Sequence, residues 1–121
     1  MQRTLLLLLA LASAMAFAAP VYAHAFLDHA TPTVGSKVHG SPAQVKLWFT
    51  QELEPAFSTV QVVDGSGKRV DKADVKVDSA DPTLLQVSLP TLPPGSYRVK
   101  WRVLSVDTHV TDGDFTFDVT P

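Results

Sequence analysis

Tyr97-Arg98-Val99-Lys100-Trp101-Arg102-Val103 is the stretch that decides the fold. Four aromatic or aliphatic residues alternate with three cations. Side chains on a strand point to opposite faces with period two, so this segment buries one face and wets the other. The same rhythm recurs on both sides. Val45, Leu47 and Phe49 alternate with Lys46 and Thr50, with Trp48 breaking the pattern. Val60 and Val62 flank Gln61; Leu85, Val87 and Leu89 alternate with Gln86 and Ser88, which should face water. Phe115, Phe117 and Val119 alternate with Asp114, Thr116 and Asp118. From residue 24 onward there are 15 Val and 10 Thr, both branched at Cβ and suited to strands.

Turn signals punctuate these runs: Thr31-Pro32-Thr33-Val34-Gly35-Ser36, Gly40-Ser41-Pro42, Asp81-Pro82, Leu92-Pro93-Pro94-Gly95 and Asp112-Gly113-Asp114. Asp64-Gly65-Ser66-Gly67 reads as a hairpin loop. The one helical turn expected lies around Pro55 to Phe57. The pattern predicts an all-β fold: seven short strands in an antiparallel Greek-key sandwich or small barrel, of immunoglobulin-like or cupredoxin-like type.

The 121 residues allow one domain. Residues 1–23 hold 18 of the 55 apolar residues. Arg3 is followed by an apolar stretch from Leu5 to Ala19, then Pro20 and Val21-Tyr22-Ala23. That is the order of a secretory signal peptide over residues 1–23. The 15-residue run falls short of the roughly 20 needed to span a bilayer. Ala16-Phe17-Ala18 offers a second cleavage site, but Pro20 favours the cut after Ala23, which makes His24 the first residue of the exported chain. Residues 24–121 form the folded domain, with no further run of spanning length. They carry nine basic and twelve acidic side chains, a net charge of −3, and nothing suggests a nucleic-acid binder, which would need a basic face. There is no Cys, and both methionines, Met1 and Met15, leave with the signal.

The residues that bear chemistry are few. A free His24 presents its α-amine and its imidazole Nδ1, which close a six-membered ring on a metal. The α-amino pKa of about 7.7–8.0 lets a divalent ion displace the proton near neutrality. Asp107-Thr108-His109 adds a carboxylate and an imidazole two residues apart, on one face if the segment is extended. Three nitrogens and one oxygen suit Cu(II) in a tetragonal site. Each piece also has an ordinary structural role open to it, since an Asp in such a place commonly anchors a turn. His29, just before a turn, and His39, beside Gly40, are expected in exposed loops with no metal role. Trp48 and Trp101 are expected at or near the core.

Ala23-His24-Ala25-Phe26-Leu27 with Thr31-Pro32 and Gly35-Ser36, then Val45-Lys46-Leu47-Trp48-Phe49 with Leu53, resembles the CopC copper-resistance proteins. The most specific stretch is Trp101-Arg102-Val103-Leu104-Ser105-Val106-Asp107-Thr108-His109, followed by Gly113 and Phe115-Thr116-Phe117. The resemblance covers essentially all of residues 24–121. It implies export to the periplasm, a role in binding, carrying or buffering copper, and Cu(II) ligands at His24, Asp107 and His109. It also implies a link to an inner-membrane copper transporter. The chain departs from the family pattern twice. Val63 to Val77 has neither Met nor His, so the Met-rich Cu(I) site of some members is missing. Gln51, with Glu52 beside it, stands where some members place a Glu near the metal. Two alternatives stay open. One is a small copper monooxygenase with a histidine brace, although Val110 follows His109 where such enzymes need a nearby aromatic and Asp107 would fill a position that oxygen needs. The other is a metal-free structural sandwich.

Overall fold

The computed structural model describes residues 25–121; the expected signal peptide and His24 lie outside them. Eight strands form two four-stranded sheets. They are β1 (Leu27–Thr31), β2 (Lys37–His39), β3 (Gln44–Phe49), β4 (Thr59–Val63), β5 (Lys76–Val77), β6 (Leu84–Ser88), β7 (Gly95–Leu104) and β8 (Val110–Thr120). The strand orders are β1-β3-β6-β5 and β2-β8-β7-β4. The chain changes sheet after β1, β2, β3, β4 and β6, so most sequence neighbours sit in opposite layers.

Alternation works as expected where strands are long. Val45, Leu47 and Phe49 of β3 face Val60, Val62, Val99, Val103, Phe115 and Phe117 of the other sheet, all buried. Burying such a side chain contributes about 1.5–3 kcal/mol. Pro55–Phe57 forms the expected helical turn, a single turn of 3-10 helix.

Four expectations change. The strand count is eight, because β2 and β5 have only three and two residues and no alternation to reveal them. The sandwich is not wholly antiparallel: β2 runs parallel to β8, pairing Lys37 with Asp118 and His39 with Thr120. Gln86 is buried, not wetted, because β6 lies inside its sheet between β3 and β5. Asp112-Gly113-Asp114 is no turn. It lies within β8, where Gly113 faces Trp101 across the β7–β8 ladder. A Cβ on Gly113 would come within 2.5 Å of the indole. Glycine is there to let the Trp101 ring lie against the backbone, from where it meets Phe49 edge-on at 5.1 Å.

The turn at Asp64-Gly65-Ser66-Gly67 does close back on β4, but only through the single bridge Val63–Arg69. The chain then runs through a long connection to β5, pinned by its aspartates. Among the described residues no helix is long and apolar enough to cross a membrane.

Candidate metal centre

The β7–β8 hairpin ends in a tight turn, Ser105 to His109, closed where Leu104 pairs with Val110. The Ser105 N–H donates to the His109 carbonyl at 3.0 Å, and the Thr108 N–H donates to the Ser105 carbonyl at 2.9 Å. Thr108 has φ +75°, the left-handed region that a β-branched residue rarely enters. The segment is therefore turned, not extended, and the turn itself brings the two predicted ligands together. His109 Nδ1 lies 3.5 Å from Asp107 Oδ1, with both side chains partly open to solvent. Two donors on adjacent positions around one ion, each at roughly 2.0–2.2 Å, sit about 3 Å apart, so the pair fits one coordination sphere with little adjustment.

Ser105 organises this turn from beneath. It is fully buried. Its hydroxyl donates to Asp107 Oδ1 and accepts the His109 N–H at 3.3 Å. The Ser105 hydroxyl, helped by the His109 imidazole, holds the Asp107 carboxyl below the usual range, so it is an anion at neutral pH. An exposed carboxylate beside an imidazole suits a hard or borderline divalent cation.

Two further segments pack against the turn. Val106 N–H donates to the Glu52 carbonyl at 3.1 Å, Glu54 N–H donates to the Leu104 carbonyl at 2.8 Å, and Leu53 bridges Ser105. Glu52 thus meets the turn through its backbone, while Gln51 is half-buried beside it. The second segment is the start of the described chain. Thr111 Oγ1 donates to the Ala25 carbonyl at 2.6 Å. Phe26 and Thr50 exchange two bonds, Phe26 N–H to Thr50 Oγ1 and Thr50 N–H to the Phe26 carbonyl, both at 2.9 Å. Ala25 is completely buried.

Among the described residues no three His, Asp or Glu side chains converge; Asp107 and His109 are a pair. The third predicted ligand, His24, precedes the described residues. Both remaining histidines sit on strands, not in loops, because cross-strand pairing captures them. His29 belongs to β1, stacks on Trp48 at 4.4 Å with ring planes 8° apart, and meets Asp28 Oδ2 at 2.7 Å. His39 ends β2, its Nδ1 3.0 Å from Thr120 Oγ1. The 11 residues of β8 put Thr120 about 30 Å from the Asp107–His109 turn. A broad concavity lies elsewhere, on the outer face of the second sheet along Lys100, Arg102, Asp112 and Asp114. It is a salt-bridged surface, with Arg98–Asp114 at 3.1 Å and Arg102–Asp112 at 3.5 Å, and none of the predicted ligands lines it.

Sequence reasoning missed Ser105 and Thr111 as parts of this arrangement. Ser105 stood inside the quoted motif, but only the turn geometry shows what its hydroxyl does. Thr111 carried no signal beyond its place two residues after His109.

The CopC domain model matches residues 27–120. The copper resistance protein C of Pseudomonas syringae pv. tomato is 32% identical over 114 residues, covering 89% of this chain and 90% of that protein. The crystal structure of CopC from Methylosinus trichosporium OB3b superposes with a TM-score of 0.73 at 40% identity, covering 81% of this chain and 95% of the other. PcoC, a methionine-rich copper resistance protein from Escherichia coli, superposes with a TM-score of 0.70 at 33% identity, covering 81% and 100%.

Proposed function

The chain belongs to the CopC family, and on that premise we propose that it is an exported, non-enzymatic Cu(II)-binding protein serving copper resistance or homeostasis. In this reading residues 1–23 are removed on passage to the periplasm. The new α-amine and imidazole of His24 then join Asp107 and His109 around one copper ion. The observation that carries the reading is the Asp107–His109 pair, 3.5 Å apart on a turn adjoining the anchored Ala25. Ala25, the residue that follows His24 in the sequence, is anchored at the same corner of the sandwich as the turn.

The oxidation state follows from the donors. The anionic Asp107 oxygen and the amine favour Cu(II), whereas Cu(I) prefers thiolate and thioether ligands. Beyond Met15 the chain has no Met and no Cys, in contrast to a methionine-rich relative. Copper is cargo in this scheme, held for transfer to a copper transporter of the inner membrane. Asp107 would fill a coordination position that oxygen activation needs open, which argues against the monooxygenase alternative.

The test is a single extra residue ahead of His24, which turns the chelating amine into an amide. Cu(II) affinity should fall by orders of magnitude while the fold persists. Equal affinity of the extended and native termini would falsify the chelate.

A further inference from the structure

We propose that Thr111 is a positioning residue for the metal centre: its hydroxyl, bonded to the Ala25 carbonyl, clamps the start of the folded chain against the Asp107–His109 turn. The inference rests on the chelate reading above and adds to it how the chain terminus is held before copper arrives.

Strand register fixes which way position 111 faces. Thr111 pairs with Val103, and Val103 is fully buried, so position 111 belongs to the inward face of β8 at the mouth of the sandwich. Packing alone would favour Val there, as a stronger strand former with no polar group to satisfy. The hydroxyl instead reaches across to the other sheet's leading segment and donates to the Ala25 carbonyl at 2.6 Å. The next residue is fixed independently, by the two bonds between Phe26 and Thr50. Ala25 and Phe26 are thereby tied to both sheets. Ala25 ties to β8 two residues beyond His109, and Phe26 ties to the segment leading to Gln51.

Chain termini are poorly ordered unless tied down. A terminal chelate on a loose end has to be immobilised when the metal binds, and that ordering weakens affinity. With Ala25 clamped in the metal-free protein, the chain up to that residue is already ordered on folding. Thr111 touches no metal ligand side chain in this account; it acts through the Ala25 backbone.

The experiment compares Thr111→Val and Thr111→Ser in the protein beginning at His24, with Asp107→Asn and His109→Ala measured alongside. Cu(II) affinity is read by competition with a chelator, the coordination by electron paramagnetic resonance, and the metal-free clamp by hydrogen exchange at the Phe26 amide. Thr111→Val should weaken Cu(II) about ten- to a hundredfold, the range for loss of a group that orients a ligand. It should change the nitrogen hyperfine pattern and speed Phe26 exchange without copper. Thr111→Ser should restore all three, which a loss of packing cannot explain, because serine lacks the methyl. If Thr111→Val fails to fold, Thr111→Ser against Thr111→Ala reads the same hydroxyl. Parent-like affinity and spectrum in Thr111→Val, with Asp107→Asn and His109→Ala impaired, would overturn the clamp alone. Unchanged binding in all of them would overturn the chelate reading and the clamp with it.

Discussion

Two regions of this protein use aspartate in opposite ways. The connection from Asp64 to Asp81 carries five, and each is spent on the chain itself. Asp64 accepts the N–H groups of Ser66 and Lys68, Asp74 that of Ser88, Asp78 those of Ala80 and Asp81, and Asp81 that of Thr83. Asp71 is the extreme case: its carboxylate is fully buried, accepts from Val62 and Ala73, and grips the Arg69 guanidinium at 2.9 Å. In the turn from Ser105 to His109, by contrast, Asp107 is held chiefly by side chains, the Ser105 hydroxyl and the His109 imidazole, and stays partly exposed. An aspartate whose oxygens are filled by backbone N–H groups is a structural staple. One held anionic by side chains and partly exposed is available to a cation. The difference lies in which groups each carboxylate already satisfies, which residue type alone does not reveal.

His109→Ala removes the imidazole beside the exposed carboxylate. It should weaken Cu(II) by more than the tenfold to hundredfold expected for an orienting residue, with the unfolding midpoint held. His29→Ala and His39→Ala should leave Cu(II) affinity essentially unchanged. Isothermal titration of the three variants decides it, and a larger loss in His29→Ala would mean the second imidazole is misassigned. Asp71→Ala should do the reverse. It strands two N–H groups and a guanidinium, which costs about 2–4 kcal/mol of stability, while Cu(II) affinity stays constant.

The same division predicts an acid limb. Burial pushes the Asp71 carboxyl up, but Arg69 and the N–H groups of Val62 and Ala73 outweigh it and hold it below the ordinary value. Ser66 does this for Asp64, Ser88 for Asp74 and Thr83 for Asp81. Groups depressed in the folded state stabilise it fully above their unfolded pKa of about 3.9 and lose that contribution as pH falls through the folded values. Urea midpoints should therefore be level above about pH 5 and fall below about pH 4. Asp71→Asn should flatten the fall; an unaltered acid limb would remove Asp71 from the staples.

Much of this was legible in the residues. Alternation marked β7, the second half of β8 from Phe115 to Val119 and, Trp48 apart, β3, because their pairing surfaces are long enough to impose period two. That Asp107 and His109 would lie close together was legible from type and spacing. What stayed hidden depended on partners distant in the chain. β2 exists only because β8 offers it an edge, and Gln86 is buried only because β5 and β3 flank its strand. Gly113 looked like a turn residue because a glycine between aspartates usually is one; its neighbour across the ladder, Trp101, could not be read locally. Likewise Ser105 and Thr111 are ordinary residues until the turn and the start of the chain are brought together.

Ser105→Ala probes the turn from below. It removes the Asp107 and His109 N–H contacts of a buried hydroxyl, so stability should drop by about 1–2 kcal/mol. Cu(II) affinity should drop about tenfold, because Asp107 loses the group that orients it. A stability loss with unchanged copper binding would make Ser105 another staple and blur the contrast.

The smallest effect belongs to Thr108. Its φ of +75° costs an L-residue about 1–2 kcal/mol, and a β-branched residue is among the least suited to it. Asparagine tolerates this conformation, so Thr108→Asn should relieve part of the strain. The substitution also gives up the contact from Thr108 Oγ1 to the Asp107 carbonyl at 2.6 Å, an exposed bond of modest worth. The net gain should be roughly 0.5 kcal/mol. Thr108→Gly removes the strain as well but adds freedom to the unfolded chain and to the turn, so its stability gain should be smaller. If the turn merely joins two strands, both variants keep parental Cu(II) affinity. If the strained turn sets the spacing between Asp107 and His109, Thr108→Asn should bind like the parent and Thr108→Gly should bind more weakly. A chelator competition on these two proteins separates the cases, because both tolerate the left-handed conformation and they differ in how firmly they hold the turn.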